Sequence, residues 1–337
     1  MAKNLYGRPV DQAINRLGAL SQAVAIEAST RTNGPDAGSR RIRIVNGLLD
    51  LEILPDRGLD LGQLRIAGVP LAWVSPTGFP GLNSGDRDGL GWLRGFGGGI
   101  LTTCGLLNFG PSVVDDGQTH PMHGRYSSLS ANVTRAEATN EEIIVEGVVS
   151  EASVLGMHLE LRRRIRMEVG SLEVTVDDTV TNRSGSPVAP MVLYHLNLGW
   201  PLVAEGTELT SPALDVQARD AVAERGLSTW STFPELSDEY PEHVFRHELP
   251  VDRDVDVAVR ARSGFGVRIG FNTHAFPGLF QWRVAGAGHN VLGIEPATTP
   301  TIHGRADARE RGMLVPLAPG EQRRLGVRLA VEIPGAM

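Results

Sequence analysis

Between His158 and Val176 the chain alternates apolar and polar residues, turns, and alternates again. Leu159, Leu161, Ile165 and Met167 share one parity, and Arg162, Arg164 and Arg166 share the other. Val169-Gly170-Ser171 then turns into Leu172, Val174 and Val176. Side chains repeat every second residue only in strands, so this stretch predicts a hairpin. The pattern recurs at Ile42 and Ile44, Leu49 to Leu54, Leu59 to Ile66, Val69 to Val74, Val255 to Val259, Val267 to Phe271, and Leu325 to Ile333. Asn46-Gly47, Pro55 to Gly58, Ala67-Gly68 and Arg262 to Gly266 separate these runs. This spacing suits an antiparallel sheet better than βαβ units. The expectation is an all-β fold with few short helices, a large antiparallel β sandwich. Residues 11–28 read equally as a short helix or a helix followed by a strand. No repeat, low-complexity tract or linker divides residues 1–337, which predicts one domain.

Composition excludes several classes. Lys and Arg number 32 against 39 Asp and Glu, a net charge of −7, without the clustered cations that neutralise phosphates. This argues against a nucleic-acid partner. The densest basic run, Arg162-Arg163-Arg164-Ile165-Arg166, reads as a solvated strand face. Cys104 is the sole cysteine, so neither an internal disulfide nor a cysteine-based zinc site can form. The N-terminus lacks a signal-peptide apolar core, and no run approaches the roughly 20 apolar residues that cross a bilayer. The expected address is the cytoplasm, with no membrane partner.

Residues 75–125 are loop-like, and a loop region this long in a compact domain points to function. Gly97-Gly98-Gly99 lacks the Gly-Lys-Ser/Thr of a phosphate loop and suits close backbone packing better. Four polar segments stand out: His120-Pro-Met-His123-Gly-Arg125, Tyr194-His195-Leu196-Asn197, Gln281-Trp282-Arg283, and Gly293-Ile-Glu295-Pro296 with His303 and Arg305 after it. Val192 to Leu198 reads as a buried strand that places His195 and Asn197 on one face and Tyr194, Leu196 and Leu198 on the other. A lone histidine there fits a core hydrogen bond as well as an active site. Glu295 ends an apolar strand, where a carboxylate is either paired with an arginine or chemically active.

These segments together resemble the aldose 1-epimerase (galactose mutarotase-like) superfamily, and within it a bacterial family of that fold known as a domain of unknown function. The resemblance runs from Pro55-Asp-Arg57-Gly-Leu-Asp60 to Gly293-Ile-Glu295-Pro296, with His123, His195 and Glu295 in the family's order. It implies a β-supersandwich and a sugar substrate. It implies Glu295 as base on the anomeric hydroxyl, His195 as acid on the ring oxygen, and His123 as a hydrogen-bond partner of the sugar. Ring opening needs one carboxylate and one imidazole, so no cofactor or metal is expected. Arg125, Arg57, Asn197 and Gln281 offer donors for sugar hydroxyls, and Trp282 or Trp73 a surface for stacking. Arg57 and Asp60 also read as a structural turn pair. The Asn-Arg motif of better-known galactose mutarotases is missing before His123. Their acidic substrate-binding residue has candidates only by position: Asp238, Glu239 and Glu242.

Three alternatives stay open. An arginine beside the substrate also suits an acidic or sulfonated sugar, and a keto sugar is a further candidate. His120, His123, His195, His303 and Glu295 could in principle gather round a metal. A sugar-binding protein without catalysis is the third. The oligomeric state is not legible in the sequence.

Overall fold

Three antiparallel sheets dominate the computed structural model, which describes residues 3–81 and 89–334. An eight-stranded sheet runs, in spatial order, Asn132–Ala138, Glu142–Ala152, His158–Glu168, Glu173–Asn182, Gln322–Glu332, Gly266–Asn272, Asp254–Arg260 and Glu208–Thr210. The hairpin that anchored the sequence reading lies at its centre, with Leu161 opposite Val180 and Ile165 opposite Val176. A six-stranded sheet runs Asp215–Ala218, His243–Glu248, Gly278–Gly286, His289–Ala297, Leu193–Gly199 and Thr102–Cys104. A five-stranded meander, Val24–Thr30 to Val69–Pro70, completes the architecture. The antiparallel β sandwich is therefore present, with helices confined to short pieces such as Val10–Ile14, Trp92–Gly95 and Arg305–Glu310.

One apolar cluster joins the three sheets, with Ile44 from the meander, Ile165 from the eight-stranded sheet, and Leu196 and Ile294 from the six-stranded sheet. A second cluster lies on the opposite face of the six-stranded sheet: Leu193, Phe280, Val244 and Val291, capped by Trp73, Trp92 and Phe96 from the loops. That sheet is buried on both faces, which explains why all seven residues of Leu193–Gly199 are buried.

The basic run departs from the sequence reading. Arg162, Arg164 and Arg166 face outward as their parity requires, but Arg163 shares the inward parity of Leu161 and Ile165 and is fully buried. Its guanidinium donates to Asp178 at 2.7 Å, Asp60 at 3.0 Å and Thr103 Oγ1 at 2.8 Å. The Tyr194 hydroxyl donates to Asp178 at 2.5 Å. Asp60 is thus the partner of Arg163, and the proposed turn pair with Arg57 does not form.

Candidate active site

Strand register builds the site. Leu193 pairs with Ala297 and Leu196 with Ile294, which sets His195 opposite Glu295 on adjacent central strands. Tyr194 and Leu196 point into the main core, and His195 points to the other face. Across the next pairing Trp282 opposes Gly293 and Phe280 opposes Glu295, so Trp282 joins the same face. Above it lies a cavity of about 510 Å³ lined by His123, His195, Glu295, Trp282, Glu242 and Arg219 among others. Apolar walls from Trp92, Phe96, Met122 and Ile302 surround these polar groups, an arrangement common to small-molecule sites.

His195 Nε2 lies 3.2 Å from Glu295 Oε1, with both side chains almost entirely out of solvent. The angle is not that of a hydrogen bond: Glu295 Oε1, His195 Nδ1 and His123 Nδ1 are all buried without a hydrogen-bond partner. Such orphans are costly in a folded protein and call for a functional explanation. Burial pushes the Glu295 carboxyl up to about 8; the negative charge of Glu242 adds to the rise, and Arg219 opposes it. Burial first and His123 second hold the His195 imidazole well below its ordinary range. Burial alone lowers His123 to about 4. Burial thus favours the uncharged form of each group, a carboxylic acid facing a neutral imidazole.

Aromatic rings fix the imidazoles. Phe96 lies 5.1 Å and Trp282 5.3 Å from the His195 ring, centre to centre. Trp92 packs 4.4 Å from His123, and the two imidazoles are 6.0 Å apart. The Trp282 indole N–H donates to Glu242 Oε1 at 2.9 Å, while Arg219 donates to Glu242 Oε2 at 3.0 Å and to Asp220 at 2.8 Å. Gly293 lies between these groups. A Cβ there would come within 2.9 Å of Glu295 Oε1 and 3.2 Å of His195 Cε1.

Four expected sugar contacts do not reach this cavity. Gln281 alternates with Trp282 and so faces the opposite side, bonded to His247 at 3.1 Å and to the Trp230 carbonyl at 2.8 Å. Arg57 donates to the carbonyls of Pro80 and Gly95 and so ties loops together. Arg125 lines a separate cavity of about 360 Å³ with His120 and Glu151. Asn197 is wholly buried, its amide nitrogen donating to the Gly99 and His195 carbonyls, so it braces the strand. Trp73 is also buried, edge-on to Trp282. The Gly97–Gly99 run serves close packing: a Cβ on Gly98 would meet the Trp73 carbonyl at 2.6 Å. His120 sits apart from His123, His195, His303 and Glu295, which removes it from the metal grouping. No group of three or more His, Cys, Asp or Glu among the described residues is placed to hold an ion.

Trp92, Phe96, Arg219 and Asp220 line the cavity without having been singled out in the sequence. Of the three acidic candidates, Glu242 is the one that the described lining contains. Nothing in the irregular segment around residue 220 signals this role, since its place depends on the pairing of Asp215–Ala218 with His243–Glu248.

The sequence matches the family described as Domain of unknown function (DUF4432) over residues 36–331. A solved Klebsiella pneumoniae structure, provisionally named an aldose 1-epimerase, is 26% identical with a TM-score of 0.83, over 91% of this chain and 83% of that one. A galactose 1-epimerase from Lactobacillus acidophilus is 14% identical, TM-score 0.62, over 92% of this chain and 99% of that one. A galactose mutarotase-like protein from Clostridium acetobutylicum is 15% identical, TM-score 0.65, over 93% and 100%. The last two establish the fold alone. No protein of curated function matches significantly. No helix among the described residues is long and apolar enough to cross a membrane.

Proposed function

The chain belongs to the DUF4432 family and has a galactose mutarotase-like fold, and from that premise we propose that it interconverts the anomers of a sugar by acid–base ring opening. The observation that carries the reading is the buried His195–Glu295 pair, 3.2 Å apart on the cavity floor. A cyclic hemiacetal holds two oxygens on one carbon, and two proton carriers this close can serve both. Glu295 takes the anomeric hydroxyl proton while His195 delivers one to the ring oxygen. The bond from C1 to the ring oxygen breaks, and C1 becomes the aldehyde carbonyl. Rotation about C1–C2 presents the other carbonyl face. His195 then deprotonates the freed hydroxyl as it attacks, and Glu295 returns its proton to the new anomeric oxygen.

These roles need an ionised Glu295 and a protonated His195, whereas burial favours the neutral pair. Both forms hold a single titrating proton, so moving it from Glu295 to His195 interconverts them. A polar substrate displacing the His195–Glu295 contact supplies the hydrogen bonds that stabilise the charged form. His123 lines the cavity and offers its imidazole to the sugar, and Trp282 and Glu242 offer an apolar surface and an acceptor for hydroxyls.

The case for an acidic or sulfonated substrate rested on Arg57 and Arg125, which lie elsewhere. Arg219, which lines the cavity, is already engaged with two carboxylates. The reading therefore favours an uncharged aldose. Its test is anomer exchange, followed by NMR or polarimetry on a panel of aldoses, uronic acids, sulfonated sugars and keto sugars. Glu295→Gln and His195→Ala should each slow exchange by roughly 10²–10⁴-fold. Wild-type rates in both variants, or sugar binding without exchange, would remove the catalytic assignment.

A further inference from the structure

We propose that Glu151 is a positioning residue for His123, acting through the peptide group between Gly105 and Leu106. The proposal rests on the mutarotase reading only where catalysis is measured. Glu151 is the penultimate residue of the Glu142–Ala152 strand, is buried, and lines the second cavity rather than the first. Its Oε2 accepts the Leu106 N–H at 2.8 Å. The carbonyl of the same peptide group, that of Gly105, accepts the amides of Arg125 at 2.9 Å and Tyr126 at 2.8 Å. Gly105 N–H in turn donates to the His123 carbonyl at 3.0 Å, and Gly105 bridges Gly124. The Gly105–Leu106 peptide group, held at its N–H by a buried carboxylate, therefore carries Arg125 and Tyr126 on its carbonyl, and the N–H of the preceding peptide holds the His123 carbonyl beside them.

His123 needs such support. Its backbone adopts φ +53°, a left-handed conformation that a side chain larger than glycine holds only when its surroundings impose it. The neighbouring glycine fits too closely to tolerate a shift, since a Cβ on Gly124 would lie 2.3 Å from the Gly105 carbonyl oxygen. The Trp92 ring then packs on the imidazole at 4.4 Å and aims it at His195. Burial raises the Glu151 carboxyl to about 7, with the Leu106 amide and Arg125 opposing the rise. A carboxylate retained in such a place has a role beyond filling space.

The test compares Glu151→Ser, which stays polar but is too short to reach Leu106, with Glu151→Gln, which keeps an acceptor oxygen at the same reach. The first readout is the ¹⁵N-imidazole NMR signals of His123, assigned by their loss in His123→Gln. Glu151→Ser should shift them and Glu151→Gln restore them. The second is anomer exchange: kcat/KM should fall about tenfold in Glu151→Ser, the effect of losing one anchoring hydrogen bond, and recover in Glu151→Gln. Combined with His123→Gln, Glu151→Ser should add no further loss. Unmoved His123 signals, multiplying penalties, or failure of both Glu151 variants to fold would each overturn the proposal. A wild-type protein that exchanges no sugar would refute the catalytic reading while the NMR comparison still decides the positioning role.

Discussion

Replacing Glu295 with glutamine should stabilise the protein, and increasingly so as pH rises. Burial moves this carboxyl from an ordinary 4.5 to about 8. Between those values the native chain holds a proton that the unfolded chain has released, so wild-type stability falls with rising pH and levels off above about 8. Each pH step in that window costs ~1.36 kcal/mol. From pH 5 to pH 8.5 some three such steps are crossed, an expected change of about 4 kcal/mol. Glutamine has nearly the same shape and never ionises. Urea unfolding of both at pH 5 and pH 8.5 measures the effect. Their stability difference should grow by about 4 kcal/mol in favour of glutamine at the higher pH. A difference that does not change with pH would mean that the fold compensates an ionised Glu295, and the protonated form favoured by burial would be wrong.

Three further outcomes follow from named contacts. Gly293→Ala inserts a methyl within 2.9 Å of Glu295 Oε1 and 3.0 Å of Trp282 Cβ; it should cost ~1–3 kcal/mol in thermal unfolding and slow anomer exchange by more than it raises KM. Glu242→Gln removes a charge that raises the Glu295 carboxyl, so the limb of the kcat/KM pH profile governed by Glu295 should move to lower pH, and an unmoved or raised limb would contradict that coupling. Arg163→Met strands Asp60 and Asp178 without their shared cation, and urea unfolding should register a loss of about 3–5 kcal/mol, against which a loss below 1 kcal/mol would count.

Local pattern determined what the sequence could reveal. The alternation through Leu161, Ile165, Val174 and Val176 is a property of single strands, and the sheet follows it residue for residue. The facing of His195, with Leu196 turned to the core, was legible for the same reason. Gln281 and Trp282 were read together as sugar contacts, but period two forbids neighbours on a strand from sharing a face, and only Trp282 lines the cavity. Arg163 breaks the outward pattern of its run because its partners, Asp60 and Asp178, come from the meander and the next strand of the hairpin. Arg57 and Arg125 carried motif-like surroundings, yet what they touch is set by loop packing that no local spacing encodes. Arg219 reached the site through a sheet edge formed by a segment with no regular pattern.

The Leu193–Gly199 strand separates two buried charge arrangements, and their difference supports the functional reading. On the Tyr194 side, Asp178 receives Arg163 and the tyrosine hydroxyl, and Asp60 receives Arg163 and the Thr103 amide. The fold thus satisfies buried carboxylates with cations and donors where structure is the need. On the His195 side, one residue along, it leaves Glu295 Oε1 and His195 Nδ1 without a hydrogen-bond partner in two residues that line a cavity. A core histidine would donate to a carbonyl or carboxylate and be finished, and a structural glutamate would have acquired an arginine. Neither has happened, although Arg219 stands in the same cavity, held by Glu242 and Asp220. Stability alone would select against this pair, and that supports the proposal that it acts on a bound molecule.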